Sequence, residues 1–220
     1  MVTRLAIFDC DGTLVDSQHN ICAAMASCFA AAGLAPPPHA QTRRVVGLSL
    51  VEAMRAMLPE AEPDFHAALA EDYKRAFQAM RARGLDEEPL YEGIAGLIDA
   101  LEADGWLLAV ATGKSDRGLN LCLEHHGIAG RFVSLQTADR HPSKPHPSMI
   151  EQAMADAGAV PERTVMIGDT SYDMAMARAA GVSAIGVAWG YHDASELSRA
   201  GAHHVAETPG EIIAYMRTWA

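Results

Sequence analysis

Short apolar runs alternate with stretches whose apolar residues recur every three or four positions, and the two textures are unevenly distributed along the chain. Leu5-Ala6-Ile7-Phe8 reads as a first strand. Behind it Ile21, Ala24, Met25, Cys28, Phe29 and Ala32 fall at helical spacing, until Gly33 and Pro36-Pro37-Pro38 stop the helix. Ser49 with Glu52 has the spacing of a capping box and predicts a short helix carrying Val51, Met54, Met57 and Leu58. A third helical pattern, over about 64–82, sets Phe65, Ala68, Leu69, Tyr73, Ala76, Phe77 and Met80 on one face. Three helices with no strand between them predict a helical subdomain, and the polar, turn-rich stretch 84–89 reads as the linker that leaves it.

Beyond that linker helices and strands alternate. Ile94, Leu97, Ile98 and Leu101 give a helix ended by Gly105, and Trp106 to Ala111 is an apolar run that stops at Thr112-Gly113-Lys114. Phe132 to Leu135 is a weaker strand. A helix from Pro147 to Ala157, with proline at its first position and Gly158 past its end, leads into a strand from Thr164 to Ile167 closed by Gly168-Asp169. A helix from Asp173 to Ala180, strands at Ala184 to Ala188 and His203 to Val205, and a last helix with Ile212, Ile213 and Met216 complete the series. This alternation predicts an α/β fold: a parallel sheet with helices on both faces and a ligand site at the carboxyl ends of its strands. Asp9, Thr112 and Asp169 all fall at such ends.

Half of the 220 residues are apolar, enough for a full core, and the formal charge of −11 argues against a general nucleic-acid binder. Cys10, Cys22, Cys28 and Cys122 show no metal spacing and read as reduced thiols. No apolar stretch approaches a membrane span or a signal peptide, so a soluble, cytoplasmic protein is expected. Lysine occurs only at Lys74, Lys114 and Lys144, which draws attention to the latter two.

Asp9 and Asp11, two residues apart at the end of a strand, are expected to point the same way with Cα atoms roughly 6 to 7 Å apart. Two acids there repel unless a cation or a shared proton compensates, and the default cation for oxygen ligands is magnesium. The set suits phosphoryl transfer, with Asp9 attacking phosphorus, Asp11 protonating the leaving oxygen and then activating water, and Asp9 and Asp169, with Asp173, holding the metal. Thr112 and the turn after it offer a hydroxyl and N–H groups to a phosphoryl oxygen. Lys144, stiffened by Pro145 and Pro147, is expected between Asp9 and Asp169. Each residue also has a plainer reading: solvated acids at a strand end, a loop lysine, an N-cap threonine, and an Asp173 that orients Lys144 or caps its helix. Arg43 and Arg44 either recognise a substrate anion or are solvated. The histidine pairs 125–126 and 203–204 lack ligand spacing, and the methionines read as core fillers.

Taken together, Phe8-Asp9-Cys10-Asp11-Gly12-Thr13-Leu14-Val15-Asp16-Ser17, Thr112-Gly113-Lys114, Lys144-Pro145 and Gly168-Asp169-Thr170-Ser171-Tyr172-Asp173 resemble the four motifs of the haloacid dehalogenase-like hydrolase superfamily, within its phosphoglycolate phosphatase-like group. Cys10 stands where a larger aliphatic residue is common, and Gly113 where asparagine is frequent. The resemblance implies a Rossmann-like core over 1–15 and 87–220 and a small inserted helical cap over 16–86. It implies a magnesium-dependent phosphatase for a small phosphorylated metabolite such as phosphoglycolate, with Asp9, Asp11, Thr112 and Lys144 catalytic. Thr112, Gly113, Lys144 and Arg43 would bind substrate, and Asp9, Asp11, Asp169 and Asp173 would bind Mg2+. Asp11 argues against carbon–halogen cleavage, and the lack of a lysine near the first cap loop argues against phosphonate hydrolysis. A sugar phosphomutase, a pyrophosphatase and a catalytically silent phosphometabolite-binding protein are the alternatives, and oligomeric state stays open.

Overall fold

The computed structural model describes residues 3–84 and 88–219. Strands β1 (Arg4–Phe8), β2 (Trp106–Thr112), β3 (Phe132–Thr137), β4 (Thr164–Gly168), β5 (Ser183–Val187) and β6 (His204–Ala206) form one sheet. Every pairing is parallel, in the order β3-β2-β1-β4-β5-β6. The order reverses direction at β1, which pairs with β2 on one side and β4 on the other, so the motif-bearing strands are neighbours. Crevices at such a reversal are where ligands bind in open α/β sheets.

Four helices precede β2's own helix: α1 (Gln18–Ala31), α2 (His39–Val45), α3 (Leu50–Met57) and α4 (Pro63–Ala82). Then α5 (Ile94–Ala103), α6 (Asp116–His125), α7 (Ser148–Ala157), α8 (Ser171–Ala179), α9 (Ala194–Ala200) and α10 (Pro209–Met216) alternate with strands. Side-chain alternation splits the core into two layers. Ala6, Phe8, Val110 and Ile167 pack against α5, α6 and α10 through Ile94, Leu97, Leu119 and Ile212. Leu5, Ile7, Ala111 and Met166 pack against α7 and α8 through Met149, Ile150, Met174 and Ala177. Burial on both faces explains why these strands read as continuous apolar runs.

Helices α1–α4 form an insertion with a core of its own, built on Met25, Phe29, Met54, Leu69 and Tyr73. The chain enters and leaves it side by side: the Asp16 N–H donates to Pro89 O at 2.8 Å and the Tyr91 N–H to Leu14 O at 3.0 Å. Residues 85–87, where the second linker and the expected domain boundary fall, lie outside the described residues.

The insertion differs from its predicted form in three ways. It contains a fourth helix, α2, whose seven residues bury only Thr42 and Val45 and so show no apolar periodicity. Ser49 precedes α3, but its side chain does not cap; its N–H donates to Ser143 Oγ at 2.8 Å, and Glu52 pairs with Arg55 instead. On α4 the inward stripe runs through His66, Leu69, Ala70 and Tyr73, leaving Phe65 and Ala68 exposed. Two core helices also shift at their starts. Pro147 is the residue before α7, and α8 begins at Ser171 because Asp173 sits inside its first turn. Helix α9 is an addition to the predicted series. All four cysteines are buried and free, and among the described residues no helix is long and apolar enough to cross a membrane.

Candidate active site

Strand β1 ends at Phe8, and Asp9 follows it with its N–H still donating to Ile167 O at 2.9 Å. The chain then turns: the N–H groups of Thr13, Leu14 and Val15 all donate to Cys10 O, and Gly12 adopts a φ of +84°. A Cβ on Gly12 would fall 2.3 Å from Asp169 Oδ2, and one on Gly190 would fall 2.1 Å from Asp169 Cβ. Asp169, at the end of β4, is thus clamped between two glycine backbones. Its carboxylate accepts from Thr13 Oγ1 at 2.8 Å and from the Tyr191 N–H at 2.9 Å.

Lys144 is buried with no exposed side-chain surface, and its Nζ lies 3.0 Å from Asp9 Oδ1 and 2.7 Å from Asp173 Oδ1. It therefore stands between Asp9 and Asp173, not between Asp9 and Asp169 as expected. The reason is local: Asp173 is the third residue of α8, and its Oδ2 accepts from the Thr170 N–H and hydroxyl in a capping box. That anchor leaves Oδ1 facing the ammonium, so Asp173 both orients Lys144 and caps its helix.

Asp11 is also displaced from expectation. It lies in the turn beyond β1, so strand alternation does not set its direction. Its Oδ1 accepts from Lys114 Nζ at 2.5 Å and from Ser17 Oγ at 2.5 Å. Among the described residues the acidic cluster consists of Asp9, Asp169 and Asp173, whose carboxylate oxygens lie within 4.8 Å of one another, and the Asp11 side chain is not in it. Lys114 also reaches Glu88 Oε1 at 2.9 Å. Burial alone would depress the Lys114 ammonium, but Asp11 and Glu88 more than offset it and hold it well above its ordinary range. Sequence reasoning singled out Lys114 by the scarcity of lysine yet gave it no partner, and nothing in the linker's pattern pointed to Glu88.

Three buried carboxylates cluster here, and one ammonium, Lys144, meets two of them. Burial pushes the Asp9 carboxyl up from an ordinary 3.8 to about 7, with Lys144 opposing and Asp173 and Asp11 adding. Burial, then Asp9 and Asp173, hold Asp169 well above the usual carboxylate range. Asp9 Oδ2 is buried and has no hydrogen-bond partner. An unpartnered carboxylate oxygen amid an all-oxygen donor set and surplus negative charge fits a hard divalent cation such as Mg2+. Asp9 and Asp169 are the residues that would hold it, with Asp173 beside them.

The raised carboxyls have a thermodynamic consequence. A carboxyl whose pKa is higher in the folded than in the unfolded protein binds its proton more readily when folded. Its contribution to stability is complete below about 4 and is lost as pH rises through about 7. Chelator-treated protein should therefore lose thermal stability between pH 5 and 8. Saturating Mg2+ should raise Tm by about 5 °C or more at pH 8 and by less at pH 5. Differential scanning fluorimetry across that grid checks it; an equal shift at both pH values would count against the cluster as the binding site.

Thr112 ends β2, and its Oγ1 accepts from the Lys114 N–H at 3.2 Å. Asp9, Asp11 and Thr112 line a cavity of about 440 Å³ whose far wall is formed by all four helices of the insertion. Gly113 explains how closely the two layers meet. A Cβ there would lie 2.7 Å from both Gly47 O and Leu48 O. Gly113→Asn should push this edge of the insertion away from the strand ends, lowering kcat/KM at least about tenfold with little change in Tm; steady-state kinetics beside a melting curve checks it.

Arg43, expected to meet a substrate anion, does not line this cavity. Its guanidinium donates to Gly190 O at 3.1 Å and Tyr191 O at 3.4 Å and lies over the Tyr191 ring. Arg44 pairs with Glu196 on α9. Both arginines tie α2 to the core. His126 meets Glu88 O, and His203 Nδ1 accepts from the Ala184 N–H, so each is engaged with backbone.

A family model described as haloacid dehalogenase-like hydrolase matches residues 6–187. The chain is 34% identical over 215 residues to the probable phosphatase IndB of Dickeya dadantii, covering 95% of this chain and 91% of that protein. It is 33% identical over 198 residues to the tyrosine-protein kinase PtkA of Mycobacterium tuberculosis, covering 89% of this chain and 66% of that one. It is 35% identical over 200 residues to a phosphoglycolate phosphatase of Agrobacterium fabrum, covering 87% and 83%. Among solved structures, a predicted phosphatase from Clostridium acetobutylicum superposes with a TM-score of 0.88 at 26% identity, covering 99% of this chain and all of that one. The family match runs from β1 through β5 and takes in every strand end that carries a motif residue, and the chain belongs to the haloacid dehalogenase-like hydrolase family.

Proposed function

We propose that the protein is a magnesium-dependent phosphatase that hydrolyses a small phosphate monoester through an aspartyl-phosphate on Asp9. The observation that carries this reading is the single unpartnered oxygen of Asp9, buried at the junction of the acidic cluster and the cavity. A carboxylate so placed is aligned for attack, while Lys144 fixes the other oxygen. Bound Mg2+ would neutralise phosphoryl oxygens and make the centre electrophilic.

Each remaining part of the task falls to a named group. The Thr112 hydroxyl and the N–H groups of the turn after it receive phosphoryl oxygens. Asp11, oriented by Lys114 and Ser17, gives a proton to the leaving oxygen and then takes one from the water that opens the aspartyl-phosphate. Lys144 supplies a fixed positive charge beneath the reacting group. The insertion, 16–86, acts as a cap that excludes water during transfer, hinged on the paired linkers beside Val15 and Leu90.

Phosphate release from a panel of phosphoglycolate, sugar phosphates and pyrophosphate, with and without Mg2+, tests the reading. Magnesium-dependent release of free phosphate is expected. Transfer to a second acceptor without free phosphate would replace hydrolysis by a mutase or kinase activity, and silence across the panel with ligand binding retained would favour a binding protein.

A further inference from the structure

The cavity is far larger than a two-carbon acid needs. At about 440 Å³ it falls in the range, on the order of 300–1,000 Å³, of pockets that enclose drug-sized molecules. Its wall on the insertion side is mostly apolar, with Ile21, Met25, Val46, Ala53, Tyr73 and Phe77 from α1, α3, α4 and the turn after α2, interrupted by polar side chains of α4. An anionic leaving group in this chamber would need a cation with charge to spare. Lys114 is held by Asp11 and Glu88, Lys74 by Glu71, and Arg81 by Glu88. Arg43 is turned to backbone carbonyls outside it. Arg117 has no ion pair among the described residues, but it lines the chamber from the exposed first turn of α6, where solvent screens its charge. Asp139 would meet a carboxylate with like charge, and desolvating that carboxylate against Val46 and Phe77 would be costly.

We infer that the leaving group this site accepts is an uncharged, largely apolar alcohol, so that its substrates are phosphate monoesters of alkyl or aryl alcohols rather than of hydroxy acids. This rests on the phosphatase reading above. The phosphoryl group stays at Asp9 and Thr112, and the organic part extends between α1 and α4. Cleavage of the P–O bond releases the alcohol, protonated by Asp11, and water later takes the phosphoryl from Asp9, so the balance is that of simple hydrolysis.

The test is kcat/KM, with saturating Mg2+, for ethyl, butyl, hexyl and octyl phosphate, alongside phosphoglycolate and acetyl phosphate. Each methylene that enters the chamber should raise kcat/KM by about two- to fourfold until it is filled, and hexyl phosphate should exceed phosphoglycolate by at least about tenfold. Phe77→Asp should flatten the dependence on chain length; if that variant does not fold, the series on the unaltered protein decides alone. A flat or falling series, or phosphoglycolate preferred over hexyl phosphate, overturns the inference while acetyl phosphate turnover leaves the phosphatase intact. No turnover of any compound, acetyl phosphate included, overturns both.

Discussion

Asp9→Asn should lower turnover by about 10⁴-fold or more on every substrate the protein hydrolyses, while the fold stays intact. An amide has nearly the shape of a carboxylate, and its oxygen can still face Lys144, but the nitrogen that replaces Oδ2 has its lone pair delocalised into the carbonyl and does not attack phosphorus. The same change removes one of three mutually repelling buried acids; burial first, and then the neighbouring acids, raise the Asp9 carboxyl to about 7. The variant should therefore melt at or above the parent's temperature when metal is absent. Activity within about tenfold of the parent would remove Asp9 as the nucleophile, and a large fall in Tm would mean that the carboxylate serves the fold first.

Lys144→Met should have the largest effect on stability. The ammonium lies within 3.0 Å of two carboxylates and has no access to water. Removing one member of a buried ionic group leaves its partners uncompensated, at about 3–5 kcal/mol. For a domain of this size that corresponds to a Tm lower by roughly 10 °C, together with loss of turnover. The double variant Lys144→Met/Asp173→Asn should recover part of the stability and none of the activity, because it removes the surplus charge without restoring the cation. Thermal denaturation of the single and double variants reads this directly; an unchanged Tm in the single variant would show that the buried pair is not the electrostatic keystone described above.

The sheet and the identity of most strand-end residues were legible because the physics that sets them is local. Strands buried on both faces must be apolar throughout, and a polar residue that ends such a run marks a sheet edge. Asp9, Thr112 and Asp169 were found in this way. Side-chain direction was less legible, because it depends on contacts far apart in sequence. Lys144 was expected beside Asp169 but meets Asp173, whose orientation follows from the Thr170 capping box. A similar spacing at Ser49 and Glu52 forms no capping box, since Ser143, 94 residues away, takes the Ser49 N–H. Asp11 left the strand before alternation could aim it, and its partners Lys114 and Ser17 come from the turn after β2 and the residue before α1. Arg43 carried the charge expected of a substrate contact, but two carbonyls at Gly190 and Tyr191 claim it. Helix α2 was invisible because a seven-residue helix with two buried side chains has no period to detect.

The central claim is that phosphorus passes through Asp9. Acid quench during the first turnover of acetyl phosphate in the presence of Mg2+, followed by mass mapping of peptides, tests it most directly. The account predicts a phosphoryl group on the peptide carrying Asp9, absent from Asp9→Asn protein. Full turnover with no covalent adduct, or an adduct on another residue, would contradict it.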